Sequence, residues 1–308
     1  MWGFIFMLRY VKHLLLLLWI TFYIQLLKLY YMKLIDSKVE VIEQLPGLDG
    51  VYKQIELAGR TCYKSEDKIT EDSAKEFVDR MIKSNHGAML EHGTVYLKVS
   101  VKYDNEERCW PIPQNFFPFF FERNKYSKVR RVEAEDVCGW YVTTNMRVIA
   151  ENNLFDCLEF VCEPTEMHEK RITARFTCDR GVSHEIVRHR VMSFAQESQR
   201  YVGYDKDKFG NEVVFIKPHW YTEEFPACLT WIEGLKEAEK KYMELREAGL
   251  KPQDARGVLP NATKTEIVVT GFESDWNHFF ELRTAGSAHP DIRKLAIELQ
   301  EKLNSVNK

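Results

Sequence analysis

Fourteen residues, Arg188 to Tyr201, read RHRVMSFAQESQRY and hold three arginines, a histidine, two serines, two glutamines and a glutamate. A merely solvated helix face would alternate acidic and basic residues at three- and four-residue spacing. Here Arg188, His189 and Arg190 stand together, and the Ser198 hydroxyl and Arg200 arrive after apolar spacers. Guanidinium forks grip a phosphate dianion through two parallel hydrogen bonds, which an ammonium cannot do. The grouping suits a ligand with phosphate at one end and a planar polar ring at the other. Ser198 offers two chemistries, nucleophile or hydrogen-bond donor. It lies outside any GxSxG elbow, and its neighbours Glu197 and Gln199 are not the small residues such a turn packs. The chain also lacks GxGxxG after a strand, GxxxxGK[ST] and HExxH. Donor to a ligand is therefore the role read for Ser198.

The elements that must position these residues follow from periodicity. Lys38–Ile42 alternates like a strand, and Pro46-Gly47 with Asp49-Gly50 reads as a turn. Residues 69–84 read as a helix capped by Thr70 or Asp72, with Ala74, Phe77, Met81 and Ile82 on one face. Two half-buried strands alternate through Val95, Leu97, Val99 and Val101, and through Ile172, Ala174, Phe176 and Cys178. Asp179 and Gly181 close the second strand, and Ser183 caps a helix over 184–191. The basic cluster thus begins near a helix end and runs into a loop. A long helix spans 223–248 before Gly249, Pro252 opens a short one, and two more cover 276–283 and 290–303. Without a βαβ rhythm, the predicted fold is α+β, one mixed domain over residues 32–308. Residues 114–121 hold five phenylalanines and Pro118. They read as a buried corner or subunit interface, or as a lid over a planar ligand.

The formal charge of −3, with 45% apolar and 29% charged residues, describes a chain with ample core and no basic face for coating nucleic acid. Seven scattered cysteines without CxxC match a reducing cytoplasm and argue against a disulfide framework or a structural zinc site. Residues 1–31 differ: Leu14 to Ile24 is apolar but for Thr21, flanked by Arg9, Lys12 and Lys28, with no acid before Asp36. The run is short for a transmembrane helix, which needs roughly 20 residues. It suits a signal-peptide core but lacks a small-residue cleavage site. A mis-assigned start ahead of Met32 is the reading taken, with a membrane-associating segment or a signal peptide as alternatives.

Arg188-His189-Arg190, seven residues, then Ser198 and Arg200-Tyr201 resembles the signature of flavin-dependent thymidylate synthases. Further segments agree in order: Arg60-Thr61-Cys62-Tyr63, His86 to His92 (HGAMLEH), Asp254 to Pro260 (DARGVLP) and His278 to Arg283 (HFFELR). The resemblance spans roughly Met32 to Leu303. It implies reductive methylation of deoxyuridine monophosphate (dUMP) at C5. Methylenetetrahydrofolate would give the carbon and NADPH the electrons through FAD, in a homotetramer that uses no metal and no protein nucleophile. Residues matching the family's nucleotide positions are Glu185, Arg188, Gln196, Glu197, Ser198, Gln199, Arg200, Arg256 and Arg283. Those matching flavin positions are His86, Glu91, Arg188, His189, Arg190, Gln196, His278 and His289. Arg283 matches the position against the uracil ring and is the expected catalytic residue, because a fixed cation there stabilises the anionic ring as C5 becomes nucleophilic.

Several positions depart from the family. Ala195-Gln196-Glu197 replaces the Asn-Glu found before the serine in many members, so an amide stands for a carboxylate. Glu185 stands for glutamine, His278 for asparagine, and Phe272–Ser274 lacks an Asn-x-Arg that contacts flavin adenine in some relatives. Two rival functions use the same residues: a serine-nucleophile transferase centred on Ser198, and a non-enzymatic nucleotide- or RNA-binding module using the arginine cluster.

Overall fold

The computed structural model describes residues 32–102, 117–133, 137–206, 210–222 and 226–306. The apolar stretch 1–31 and residues 114–116 of the phenylalanine-rich stretch lie outside the described residues. Among the described residues, no helix is long and apolar enough to cross a membrane. The six described cysteines are free.

In chain order, β1 (Lys33–Ile35) and β2 (Lys38–Ile42) lead into α1 (Gly47–Tyr63), α2 (Ser73–Lys83) and the short α3 (Gly87–Leu90). Then come β3 (Thr94–Lys102), α4 (Phe117–Arg123), β4 (Lys128–Glu133), β5 (Val137–Asn145) and α5 (Met146–Glu151). The second half holds β6 (Arg171–Asp179), α6 (Arg180–Ile186), β7 (Ser193–Gln196), β8 (Val214–Ile216) and α7 (Pro226–Glu247). It ends with α8 (Pro252–Ala255), β9 (Lys264–Phe272), α9 (Glu273–Arg283) and α10 (Pro290–Val306). Strands pair in three sheets, ordered β2-β6-β9-β7, β3-β5-β4 and β1-β8. The first two are antiparallel throughout, as the α+β reading requires.

The four-stranded sheet carries the motif, and both of its faces are covered. Side chains alternate along a strand with period two. Ala174, Phe176 and Cys178 of β6, with Ile267 and Val269 of β9, pack under Trp276, Phe279, Ile292, Leu295 and Leu299 from α9 and α10. On the opposite face, Val268 of β9 and Ala195 of β7 meet Ala58 of α1. The three-stranded sheet builds a second core in which Leu97, Trp140 and Val142 pack with Val51, Ile55, Phe77 and Phe121. Phe117, Phe119 and Phe120 are half-buried against that core, and Pro118 and Phe121 are buried.

Two local expectations are corrected. The turn read at Pro46-Gly47 and Asp49-Gly50 is the first turn of α1. Gly50 is there for contact: a Cβ on it would sit 1.7 Å from the Leu45 carbonyl oxygen. The helix read over 184–191 instead spans Arg180–Ile186, because Asp179 is its N-cap and accepts from Val182 N at 2.7 Å. The basic cluster therefore lies in the turns after the helix, not in its last turn.

Candidate functional site

Arg188 and Arg190 are exposed in the turns that join α6 to β7, while His189 between them is buried. Arg283, the last residue of α9, reaches back to this turn. Its Nε donates to His189 Nε2 at 2.9 Å, Nη1 to Glu185 Oε2 at 2.6 Å and Nη2 to the Glu185 carbonyl at 3.1 Å. An arginine can only donate, so His189 Nε2 is the acceptor and its ring proton sits on Nδ1. Burial, then the charges of Arg283 and His278, lower the pKa of His189 to about 4. The imidazole is thus neutral at pH 7, and it packs 4.9 Å from the Phe279 ring. Of the five N–H groups of a guanidinium, three of Arg283 are committed in this way and two are left to meet a ligand.

The Ser198 loop is moored at several points. Ser198 N donates to the Cys62 carbonyl at the end of α1 (3.0 Å), and Ser198 Oγ accepts from Arg200 N at 3.3 Å. The hydroxyl hydrogen remains available to a ligand. Among the described residues no imidazole or carboxylate hydrogen-bonds to Ser198 Oγ, so no base is poised to make it a nucleophile. Cys62 is no nucleophile either: burial, reinforced by Glu197, raises its thiol to about 11. Gln196 Nε2 donates to Ser183 Oγ (2.8 Å) and Thr265 Oγ1 (3.2 Å), tying β7 to α6 and β9. Gln199 is buried and its Nε2 has no partner.

Glu197 is 3% exposed and pairs with Lys264 at 2.9 Å. Lys264 also binds Glu266, which binds Lys64 at 2.7 Å, so four charges alternate in a line. Burial opposes the charge on Lys264, but Glu197 and Glu266 outweigh it and raise its pKa. Burial opposes that on Glu266 too, yet Lys264 and Lys64 hold its carboxyl down at about 2. Arg180, at the start of α6, approaches the Glu197 carbonyl and Thr265 Oγ1, each at 3.4 Å. Burial lowers its pKa, and the charge of neighbouring Arg256 lowers it further. Among the described residues, none of Arg180, Arg188, Arg190, Arg200 and Arg256 has a carboxylate in ion-pairing distance.

On the other side of β7 opens a cavity of about 700 Å³, its mouth included, lined by Glu91, Arg147, Arg171, Val191, Ser193 and Phe272 among others. Arg171 forms its floor. It donates to the Glu91 carbonyl (3.0 Å) and Ser193 Oγ (3.3 Å), and its guanidinium lies 5.5 Å from the centre of the Phe272 ring. Its Nε is buried without a partner. Burial lowers its pKa to about 10, so the charge persists at neutral pH. Glu91 and Glu151 both hold Arg147 at the rim. Beneath this floor His92 is fully buried and bonded through Nδ1 to Thr270 Oγ1 at 2.9 Å.

The structure thus joins Glu185, His189 and Arg283 directly, and ties Gln196 and Glu197 to the framework around Ser198 and Arg200. It places Glu91 in the cavity but leaves His86 exposed beside α3, off the lining. His278 is exposed on α9, with its ring 6.1 Å from that of His189. His289 lies elsewhere, beside Asp291 and His219. Sequence reasoning missed Arg147, Arg171, Arg180 and Lys264. Arg171 had a readable signal: with Thr173 and Arg175 it forms the polar face of a strand whose apolar face was already assigned to the core.

Residues 163–307 match the family described as Thymidylate synthase complementing protein. A flavin-dependent thymidylate synthase of Pyrococcus furiosus is 34% identical over 126 residues, covering 41% of this chain and 51% of the relative. The enzyme of that name from Mycobacterium tuberculosis is 41% identical over 137 residues, covering 41% and 54%. The chain therefore spans about half the length of the curated relatives it matches. A solved UMP/dUMP methylase, PolB of Streptomyces cacaoi, aligns over 89% of this chain and 93% of its own at 16% identity and a TM-score of 0.41. A likeness that loose has no bearing on ligands.

Proposed function

We propose, from the match of residues 163–307 to the thymidylate synthase complementing protein family, that the chain is an FAD-dependent thymidylate synthase. It would convert dUMP to dTMP with methylenetetrahydrofolate as carbon donor and NADPH as reductant. The observation that carries the reading is the set of arginines around the motif that have no acidic partner among the described residues, in a chain where acids outnumber lysines and arginines 46 to 43. Cations left unpaired around one loop mark a site for a polyanionic ligand.

Arg200, Arg256 and the Ser198 hydroxyl would hold the nucleotide phosphate, with Arg180 adding charge behind them. Arg283 would set its two remaining N–H groups against the uracil N3 and its adjacent carbonyl. Glu185 and neutral His189 hold that guanidinium still, so it need not reorganise as negative charge develops on the ring. The cavity fits the flavin nucleotide chemically. Its unpartnered Arg171 Nε suits a diphosphate and Phe272 lines it with an apolar ring, while the exposed Arg188 and Arg190, in the turns that lead to the lining residue Val191, would add charge from outside the lining. When bound, the flavin supplies the electron transfer; the protein positions and polarises.

A homotetramer in a reducing compartment completes the proposal. The test is direct. The purified protein is given FAD, and NADPH is expected to bleach the flavin. Colour should return when dUMP and methylenetetrahydrofolate are added, with dTMP formed. A protein that takes up no FAD under any condition, or binds oligonucleotides in a salt-dependent way and forms no dTMP, is not this enzyme. Light scattering reports the oligomer.

A further inference from the structure

Away from the motif, two imidazoles and one carboxylate converge at the start of α10. His219 comes from the loop after β8, and His289 and Asp291 flank Pro290. One donor atom from each of the three lies within 4.8 Å of the other two. Asp291 is only 9% exposed. Its Oδ1 accepts from His219 N at 2.7 Å and lies 3.4 Å from His219 Nδ1, while its Oδ2 lies 3.7 Å from His289 Nδ1. The two rings stand edge to face, 5.7 Å apart at 85°. Both histidines thus present Nδ1 to one buried carboxylate that the backbone has already fixed.

The electrostatics leave this carboxylate short of positive charge. Among the described residues no lysine or arginine is within ion-pairing distance of Asp291. A second carboxylate, Asp179, faces the cluster from the N-cap of α6. Burial, and after it the charge of Asp291, raise the pKa of Asp179.

We propose that His219, His289 and Asp291 form a binding site for a divalent transition metal of zinc type. Two imidazoles and one carboxylate suit zinc, cobalt or nickel over magnesium or calcium, which take oxygen shells. A tetrahedral zinc with bonds of about 2.0–2.1 Å needs donors about 3.4 Å apart. The present spacing closes to that value by rotating two exposed rings, with Asp291 unmoved. Water completes the shell, and Asp179 adds charge outside it. The metal would staple the loop after β8 to α10, 70 positions later in the chain. This site is independent of the proposed methyl transfer, and its ligands differ from the phosphate and ring contacts argued above. It would give His289 a role other than the flavin contact that the resemblance implies, and would add a metal that the resemblance does not.

The test uses the full chain, freed of metal with chelator and titrated with Co²⁺ and then Zn²⁺. One equivalent of Co²⁺ per chain should give visible absorption of a four- or five-coordinate site, and one equivalent of Zn²⁺ should abolish it. The double variant His219→Ala/His289→Ala, which removes only exposed rings, should fold and lose both responses. Asp291→Asn keeps an acceptor for His219 N while removing the anion, and should weaken Co²⁺ at least tenfold. Equal binding by the wild type and the double variant would overturn the proposal, and so would absence of Co²⁺ absorption in the wild type.

Discussion

Replacing Arg283 by alanine probes the most constrained group in the candidate site. The guanidinium is 17% exposed and held at three points, with two N–H groups left over. A preorganised donor facing developing negative charge contributes about 3–4 kcal/mol in the transition state. At about 1.36 kcal/mol per decade, kcat for dTMP formation should fall roughly 100- to 1000-fold. Flavin uptake should persist, because the cavity lies across β7. Arg283→Lys keeps a charge but not the fork, and should fall between the two. A second readout needs no turnover. His189 is at about 4 through burial first and the Arg283 charge second. In Arg283→Ala its titration, followed by ring-proton NMR, should move upward yet stay below the ordinary value of 6.5, since burial remains. Turnover within about threefold of wild type, or an unmoved His189, would refute the role assigned to Arg283.

The other expectations are briefer. Ser198→Ala should raise KM for dUMP and leave kcat within severalfold; complete loss of turnover with substrate still bound would restore the nucleophile reading. Arg171→Met should weaken FAD roughly 10- to 100-fold by equilibrium fluorescence while leaving the fold intact, since a hydrogen bond from a charged donor contributes about 1.5–3 kcal/mol. Acid should unfold the protein early. His189 at about 4 and the fully buried His92 at about 3 both lie below 6.5, so the unfolded chain takes up their protons first. Their stabilisation is complete above pH 6.5. It is lost as pH falls toward those values, at up to ~1.4 kcal/mol per pH unit for each. Urea midpoints that stay flat between pH 6.5 and 4.5 would contradict this. Gly50→Ala should cost at least about 1–3 kcal/mol in urea unfolding, because its Cβ meets backbone rather than a yielding side chain; an unshifted midpoint would show that α1 and Leu45 separate freely.

What was legible in the sequence follows from where its pattern meets a single partner face. β2, β3 and β6 alternate cleanly because each has one apolar side aimed at one core, and Lys38–Ile42 was read to the residue. α1 was missed because Pro46, Gly47 and Gly50 look like a turn. In the structure Pro46 is its N-cap and Gly50 makes room for the Leu45 carbonyl. Asp179 was read as the end of a strand, and it is equally the cap of the next helix. The motif string was readable because its residues are close in sequence. The buried ion line was not: Glu197 meets Lys264 67 positions away, and Lys64 meets Glu266 202 positions away. No local pattern encodes such pairs.

That line of alternating charges also bears on how a nucleotide binds. It joins the segment after α1, two positions of β9 and the residue before Ser198 within the folded protein. The Ser198 loop therefore loses its conformational freedom when the chain folds, before any ligand is present. A ligand meeting an already ordered loop incurs little further ordering entropy, so more of its contact energy appears as affinity. Because Glu197 and Lys264 are out of water, added salt should leave this rigidity intact while it screens the exposed arginines. Ionic strength should accordingly slow the capture of an anion more than it hastens its escape.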